Sequence, residues 1–178
     1  MIGGNKVYLT SIEAGDLEQL RYWRNLPEFR KYFREYREIS SSMQQRWFER
    51  VVNGDPSTIM FAIRMKDTDE LVGCCGLCYI NWVHRHSDLS LYIGKENVYI
   101  DNEGIAEESC RLLFDYGFHE LGLNKIWTEI YEFDCKKYDL YKKFGFHEDG
   151  FLREQYFYEG KWWGAYILSL LEEEYDQN

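Results

Sequence analysis

The segment from Leu89 to Leu121 constrains the fold more than any other part of the chain. It opens with LSLYIG (89–94), in which apolar and polar residues alternate as they do in a half-buried strand. A polar turn containing Gly104 follows. The apolar residues after that turn recur at helical spacing: Ile105, Leu112, Leu113, Tyr116 and Leu121. The pattern predicts a strand that leads through a glycine turn into a helix.

A helix that begins in this way directs its first backbone N–H groups, which have no partner inside the helix, toward open space. Those groups and the positive end of the helix dipole attract anions. Gly104 has no Cβ, so a phosphate group could approach its backbone closely. The residues alone leave two interpretations open, an anion site or an ordinary turn.

The composition is that of a globular domain. The chain has 178 residues, of which 45% are hydrophobic and 18% aromatic, and a disordered segment is far less apolar. No linker, internal repeat or low-complexity stretch interrupts the sequence. We therefore expect a single domain over residues 1–178.

The formal net charge of −10 limits the partners. Binding to nucleic acid without regard to sequence needs a basic surface, so we expect no nucleic-acid partner. The charge suits a cationic partner, or it simply keeps the protein soluble. The chain has no apolar run of about 18 residues or more, and Met1–Lys6 lacks the apolar segment of a signal peptide. We therefore expect a cytoplasmic protein with no membrane partner.

The cysteines predict no metal site. Cys75 and Cys78 have C-x-x-C spacing, but they lie in LVGCCGLCYI (71–80), which is typical of a buried strand. No second pair of ligands accompanies them. We interpret the cysteines as free thiols, most of them small core residues.

The order of elements predicts the fold class. Strands are expected at Lys6–Ile12, Thr58–Met65, Leu71–Ile80, Asp88–Gly94 and Lys125–Ile130, from Phe146, and at Trp162–Leu171. Helices are expected from Asp16, after a capping box at Ser42 and Gln45, after Gly104, and at Asp134–Lys143. Pro27 either ends the first helix or begins a second short one that runs through Phe33. This order indicates an α+β (α/β) fold, with a mixed, mostly antiparallel seven-stranded sheet flanked by helices.

Two motifs resemble those of the GNAT N-acetyltransferases, which transfer an acetyl group from acetyl-CoA to an amine. Residues 101–106 (DNEGIA) match Q/R-x-x-G-x-G/A except at Asp101. The second motif, N-x-x-A-x-x-x-Y-x-K-x-G-F, is represented by Asp134, Lys137, Tyr141, Lys143, Gly145 and Phe146. Asp134 and Lys137 replace the usual Asn and Ala.

Further segments resemble particular branches of that family. WRNLPEFRKYF (23–33) and the S-x-x-x-Q-x-x-W-F-E pattern after it resemble ribosomal-protein N-terminal acetyltransferases. YINWVHRHSDLSLYIG (79–94) is similar to spermidine acetyltransferases. The RN-x-P opening together with HRH resembles enzymes acting on a nucleotide-linked amino sugar. A protein N-terminus, a polyamine and an amino sugar all stay open as acceptors.

The resemblance implies where acetyl-CoA, the co-substrate, would bind. Strands four and five would splay apart, and pantetheine would pair with the backbone of Leu91, Tyr92 and Ile93. The pyrophosphate would lie on the backbone amides of Asn102, Glu103, Gly104, Ile105 and Ala106. Asp134, Lys137 and Lys143 complete the implied cofactor site.

Four acidic residues surround this implied phosphate site: Asp101, Glu103, Glu107 and Glu108. Carboxylates so close to a phosphate weaken its binding, unless their side chains point outward. Lys137 and Lys143 would restore positive charge. Because Asp101 replaces Gln or Arg, a second function stays open, a binding module that kept the fold without efficient turnover.

Chemistry of this kind needs a base for the acceptor ammonium and a proton for the leaving thiolate. Tyr141 is the candidate acid, because a phenol can return a proton to sulfur. Asp88 and Glu129 are the candidate bases, with His84 and His86 as alternatives in a linking segment. The resemblance implies direct attack of the amine in a ternary complex.

The acceptor pocket is expected between the first two helices and the last hairpin. Its candidate residues are polar or aromatic: Arg24, Asn25, Tyr32, Phe33, Trp47, Tyr156, Trp162 and Trp163. An aromatic pocket suits either a sugar or an amine cation. Exposed aromatic residues in the last hairpin also suggest a homodimer.

Overall fold

An eight-stranded sheet forms the centre of the computed structural model, which describes residues 1–177. The strands are β1 (Ile2–Gly3), β2 (Val7–Ser11), β3 (Ile59–Met65), β4 (Leu71–Asn81), β5 (His86–Ile93), β6 (Lys125–Tyr131), β7 (His147–Tyr158) and β8 (Lys161–Leu171). Their order across the sheet is β1-β2-β3-β4-β5-β6-β8-β7. All neighbours are antiparallel except β5 and β6. The predicted mixed, mostly antiparallel sheet is confirmed, and β1 adds an eighth strand too short for the periodicity to reveal.

Six helices flank the sheet in the described chain: α1 (Leu17–Asn25), α2 (Pro27–Arg30), α3 (Ser41–Trp47), α4 (Ile105–Asp115), α5 (Cys135–Lys143) and α6 (Glu172–Tyr175). The capping box predicted at Ser42 and Gln45 is wrong. Ser40 is the N-cap of α3, and its hydroxyl accepts a hydrogen bond from the Met43 N–H at 3.2 Å. Ser40, Ser41 and Ser42 are consecutive, and the sequence pattern did not show which of them is the N-cap.

The predicted separation of the fourth and fifth strands is present between β5 and β6. These strands pair in parallel at only three positions, His86 with Lys125, Ser87 with Ile126, and Asp88 with Trp127. Beyond Asp88 each strand continues with its other neighbour, β5 with β4 and β6 with β8. The sheet therefore opens between the ends of β5 and β6.

The core lies between the sheet and α4. Phe114 of α4 is fully buried, and its ring packs against those of Phe144 and Phe146, with centroids 5.1 and 5.6 Å away. Cys75 is also fully buried, and burial raises the pKa of its thiol well above the ordinary value. Cysteines of this kind are core residues, as the sequence predicted for most of them; Cys135 is exposed. None of the described helices is long and apolar enough to cross a membrane.

Glu108 fastens the start of α4 to the edge of the sheet. Its carboxylate accepts hydrogen bonds from the backbone N–H groups of Asn5, Lys6 and Val7 at 2.7, 2.7 and 2.8 Å. Burial raises the pKa of Glu108, but the three N–H donors outweigh burial and lower it below the ordinary value. Glu108, one of the four acidic residues around the implied phosphate site, thus has a structural role.

Replacing Glu108 with Gln should lower the free energy of unfolding by roughly 1–2 kcal/mol, since one of its oxygens becomes an amide that cannot accept from N–H groups. Because the folded-state pKa of Glu108 is lowered, its stabilisation is present above the ordinary glutamate pKa and is lost as the pH falls through the lowered value. Urea unfolding across the acid range measures both effects. The matched control is Glu107→Gln, whose nearest cations lie at 3.7 and 3.8 Å. Equal losses in the two variants would contradict the assignment.

Candidate active site

A cavity of about 370 Å³ opens where β5 and β6 separate. Nine of the residues that the sequence predicted for the site lie around it: Arg24, Tyr32, Phe33, Trp47, Asp88, Leu91, Tyr92, Glu129 and Lys137. They come from α1, from the segment between α2 and α3, from α3, from both separating strands and from α5. The fold therefore brings together residues that are more than 100 positions apart in the chain.

Asp88 and Glu129 hold a cation inside the cavity. Arg34 Nη1 donates a hydrogen bond to Asp88 Oδ2 at 2.8 Å, and Arg34 Nη2 lies 3.8 Å from Glu129 Oε2. The Asp88 side chain is only 6% exposed and that of Glu129 15%, whereas Arg34 is half exposed. Two poorly solvated carboxylates thus share one solvent-accessible guanidinium.

Burial sets the protonation of this cluster. It raises the pKa of Asp88, and the neighbouring Arg34 opposes the rise only in part. Asp88 Oδ1 is buried and has no hydrogen-bond partner within residues 1–177. For Arg34, burial lowers the pKa, but Asp88 and then Glu129 outweigh it and raise the pKa. Asp88 is therefore a carboxylate that accepts a proton more readily than an exposed one.

Aromatic rings line the side of the cavity formed by the first helices. The Arg24 guanidinium lies 4.3 Å from the centroid of the Phe33 ring, and Phe33 meets the ring of Tyr92 edge-on at 5.3 Å. The ring of Tyr32 stacks on that of Tyr99 at 4.1 Å. Electron-rich ring faces next to carboxylates form an environment that favours organic cations.

Lys137 reaches the same cavity from α5. Its ammonium lies 4.8 Å from the ring centroid of Tyr99. Burial lowers the pKa of Lys137, and Asp134 opposes this. Asp134 is the buried N-cap of α5 and accepts from the Lys137 N–H at 3.2 Å. Burial raises the pKa of Asp134.

Tyr141 lies one helical turn beyond Lys137 and is fully buried. It is absent from the cavity lining, and its ring packs against Phe146 with centroids 5.4 Å apart. Burial raises the pKa of its phenol well above the ordinary value. The hydroxyl is thus protonated at neutral pH, as a proton donor must be.

Several predicted acceptor residues lie away from the cavity. Asn25 binds the backbone of Ile39, donating to its C=O at 2.9 Å and accepting from its N–H at 2.8 Å. Tyr156 stacks on Tyr131 with centroids 4.3 Å apart. Trp163 packs edge-on against Phe133, and Trp162 is 58% exposed beside Phe157. The last hairpin therefore forms an aromatic cluster of its own.

The predicted phosphate turn, residues 101–106, is present, but the side chain of Asp101 occupies its backbone amides. Gly104 has φ +88°, a left-handed conformation that glycine adopts without strain. The Asp101 carboxylate accepts hydrogen bonds from the N–H groups of Glu103 and Ile105 through Oδ2, at 2.7 and 2.9 Å, and of Ala106 through Oδ1, at 2.7 Å. The amides that were expected to hold a diphosphate do bind an anion. Because these N–H groups converge on a carboxylate, the turn also fits a phosphate group.

The other acidic residues of the turn point away from these amides. The Glu103 carboxylate lies 3.1 Å from Lys95 Nζ, and that of Glu107 lies 3.8 Å from Lys143 Nζ. The exposed Asn102 belongs to the same turn. Lys143 thus lies with Glu107 at a separate hollow that also includes Arg111 and Phe144.

Two of the three strand residues predicted to bind pantetheine line the cavity. Leu91 and Tyr92 line the cavity, but the Ile93 N–H donates to the Tyr99 C=O at 2.9 Å. Tyr99 belongs to the segment between β5 and the phosphate turn. The Ile93 amide is therefore already paired.

Arg34 is the main residue that sequence reasoning missed. It lies 54 positions from Asp88, and no local pattern connects the two. Further lining residues without a prior assignment are Glu35, Gln44, Val51, Asp55, Thr58, Met60, Cys74, Cys78, Tyr79, Leu89, Ser90 and Thr128. His84 and His86 lie in and after the β4–β5 turn, outside the lining. No metal-binding group of three or more His, Cys, Asp or Glu side chains is found in residues 1–177.

Comparisons with known proteins find a matching family model and similar sequences. Residues 6–147 match the acetyltransferase (GNAT) domain family. The chain is 27% identical over 173 residues to the uncharacterized N-acetyltransferase p20 of Bacillus licheniformis, covering 96% of this chain and 95% of that protein. It is 24% identical over 172 residues to the spermidine N(1)-acetyltransferase of Vibrio cholerae, covering 96% of each.

Solved structures share the fold. The crystal structure of the Vibrio cholerae spermidine N-acetyltransferase in complex with CoA and spermine matches with a TM-score of 0.86 and 24% identity, over 97% of this chain and 99% of that one. A dodecameric structure of that enzyme matches with a TM-score of 0.81 and 24% identity, over 97% of each chain.

Removing the cation from the cavity should raise the pKa of Asp88 further. In Arg34→Ala the buried carboxylate loses both the adjacent positive charge and its side-chain hydrogen-bond donor, the two largest effects that now lower its pKa. Carboxyl carbon NMR titration of Asp88 measures the change. Arg37→Ala is the matched control, because Arg37 pairs with Glu35 at 2.7 Å. An unchanged Asp88 pKa in Arg34→Ala would show that the pair does not form in solution.

Proposed function

Since this chain belongs to the GNAT family of acetyltransferases, we propose that it transfers the acetyl group of acetyl-CoA to a primary amine of a polyamine. The observation that carries the proposal is the pair of carboxylates, Asp88 and Glu129, that holds a cationic side chain inside the cavity. A site that binds the Arg34 guanidinium has the charge and the hydrogen-bond acceptors to bind an alkylammonium group. Hydrogen bonds between an ammonium group and a carboxylate are among the stronger ones in proteins.

The surroundings of these carboxylates support a flexible, multiply charged amine. Phe33, Tyr32 and Trp47 add aromatic side chains to the cavity lining, where they can contact the methylene groups of such an amine. Asp55 and Glu35 add carboxylates elsewhere on the cavity lining. A net charge of −10 also raises the local concentration of polycations near the protein.

The similar proteins point in the same direction. Relatives from Vibrio cholerae and Escherichia coli are named spermidine N(1)-acetyltransferases, and the Vibrio cholerae enzyme was solved with CoA and spermine. Arg34 opposes the binding of a polyamine, because it neutralises part of the negative charge of Asp88 and Glu129. Arg34 is half exposed and lies in the segment between α2 and α3, outside any helix, so it can leave the carboxylates when an amine binds.

Different residues of the chain are proposed to orient the amine, to accept its proton and to protonate the leaving thiolate. Asp88 and Glu129 orient the acceptor amine, and Asp88, whose pKa is raised, takes the proton that the ammonium must lose before it becomes a nucleophile. The backbone of Leu91 and Tyr92, which line the cavity, is the proposed partner of pantetheine. Tyr141 is the proposed proton donor for the leaving thiolate. When bound, acetyl-CoA supplies the activated acetyl group.

The cofactor phosphates would be held by the phosphate turn and by nearby lysines. The backbone amides of Glu103, Ile105 and Ala106 already coordinate an anion. Lys137 lies at the cavity, and Lys143, at the other end of α5, lies at a separate hollow. Holding both substrates in one cavity accounts for much of the acceleration in a reaction of this kind.

One observation favours a second function, a CoA- or ligand-binding module without efficient turnover. Asp101 already occupies the amides of the turn, and Tyr141 is fully buried and is not among the residues that line the cavity. Turnover separates the two functions, because a binding module would bind the cofactor without releasing its thiol in the presence of an amine.

Thiol release from acetyl-CoA should be faster with spermidine than with an amino-sugar nucleotide or a peptide carrying a free N-terminus. In Asp88→Asn, kcat/KM for spermidine should fall roughly 100- to 1,000-fold because the base is lost. The control is Asp139→Asn, which removes an exposed acid on α5. A preference for one of the other two acceptors, or full activity in Asp88→Asn, would refute the polyamine site.

Replacing Tyr141 with Phe should lower kcat by about 10- to 100-fold while the affinity for acetyl-CoA stays the same. Steady-state kinetics and calorimetry separate the two effects. Tyr138→Phe is the matched control, since its hydroxyl hydrogen-bonds Glu148 on the outer side of the same helix. If Tyr141→Phe loses cofactor binding as well as activity, the residue packs the site and is not the acid.

A further inference from the structure

We propose that Asp101 is an internal ligand of the amides that receive the diphosphate of acetyl-CoA, so that the carboxylate and the cofactor compete for the same N–H groups. The inference rests on the proposed function, because it takes the turn before α4 as the cofactor's phosphate site. It adds a residue that sets cofactor affinity in this chain, at the position where the family motif carries Gln or Arg.

The contact is specific to these amides. Both oxygens of Asp101 are engaged, and they bind three N–H groups two, four and five residues ahead in the chain. Three hydrogen bonds of 2.7 to 2.9 Å from backbone donors to one carboxylate are typical of a bound anion. Glu103, in the same turn, places its carboxylate on Lys95 instead. Asp101, and not Glu103, is therefore the acidic residue that competes with the cofactor for these amides.

The same contact caps the helix. Gly104 is the N-cap residue of α4 and has no side chain with which to satisfy the first amides. Asp101 supplies that cap, and its negative charge is favourable at the positive end of the helix. In the absence of the cofactor the carboxylate therefore stabilises α4, and binding of a diphosphate has to replace this stabilisation.

Two cations beside the turn allow a diphosphate to displace the carboxylate. Lys6 Nζ donates to the Glu103 C=O at 2.5 Å and lies 3.1 Å from the position of a Cβ built on Gly104. Lys95 Nζ lies 3.1 Å from the Glu103 carboxylate. A diphosphate has more acceptor oxygens and more charge than one carboxylate, so it can contact the amides and these lysines together. Binding is possible, but it is weaker than at an uncovered turn.

The test compares Asp101→Asn with the wild-type protein. Asparagine keeps the size of the side chain and one acceptor oxygen, so the fold of the turn is preserved while the anion is removed. The dissociation constant for CoA, measured by calorimetry, should fall on the order of tenfold. Pantetheine, which carries no phosphate, should bind both proteins equally. Without ligand the variant should melt at a lower temperature, because the carboxylate cap is lost, and CoA should raise its melting temperature more than that of the wild type.

Glu103→Gln is the matched control, since it removes a negative charge from the same turn without uncovering an amide. Tighter CoA binding in Asp101→Asn alone, with unchanged pantetheine binding, supports the inference. Equal CoA affinity in the wild type and Asp101→Asn, or an equal gain in Glu103→Gln, overturns the inference and leaves acetyl transfer standing. No CoA binding by any of these proteins at millimolar concentration overturns both.

Discussion

The short pairing between β5 and β6 is the constraint on which the rest of the structure depends. Three residue pairs join these parallel strands, and after Asp88 and Trp127 each strand follows a different neighbour. The opening that results lies in the middle of a sheet of eight strands, where side chains from α1, α3 and α5 reach it. Asp88 is the last paired residue of β5, and Glu129 lies two positions beyond Trp127 on β6. The separation of the strands thus creates the cavity and also places the two carboxylates at its apex.

Each of the two proposed substrate sites holds an ion of the chain itself. Arg34, a cation, lies between the carboxylates where an amine is expected, and Asp101, an anion, lies on the amides where a diphosphate is expected. Buried or partly buried charges need such partners when no ligand is present, because an unpaired charge away from water is costly. The arrangement explains why the carboxylates suit an amine, which is a cation like Arg34, and why the amides suit a diphosphate, which is an anion like Asp101. It also explains why each substrate has to displace a side chain.

The sequence predicted those features that depend on local patterns. Alternation and helical spacing located seven strands and the long helices, and the polar residues around Gly104 located the turn before α4. The strand Ile2–Gly3 was missed because two residues carry no periodicity, and Ser40 could not be distinguished as a cap among three serines. Arg34 and the destination of the Asp101 carboxylate depend on tertiary structure and on the backbone of one turn. Likewise, Tyr156 and Asn25 have suitable side chains, but packing directs them to Tyr131 and Ile39.

The central claim is that both substrates meet where β5 and β6 separate, each in place of a charged side chain of the protein. A crystal structure of the chain with CoA and spermidine tests this claim most directly. We expect a spermidine nitrogen within hydrogen-bond distance of Asp88 or Glu129 with Arg34 turned outward, and the diphosphate on the amides of Glu103, Ile105 and Ala106 with Asp101 displaced. A structure in which either ligand lies elsewhere while Arg34 and Asp101 keep their present partners would contradict the account.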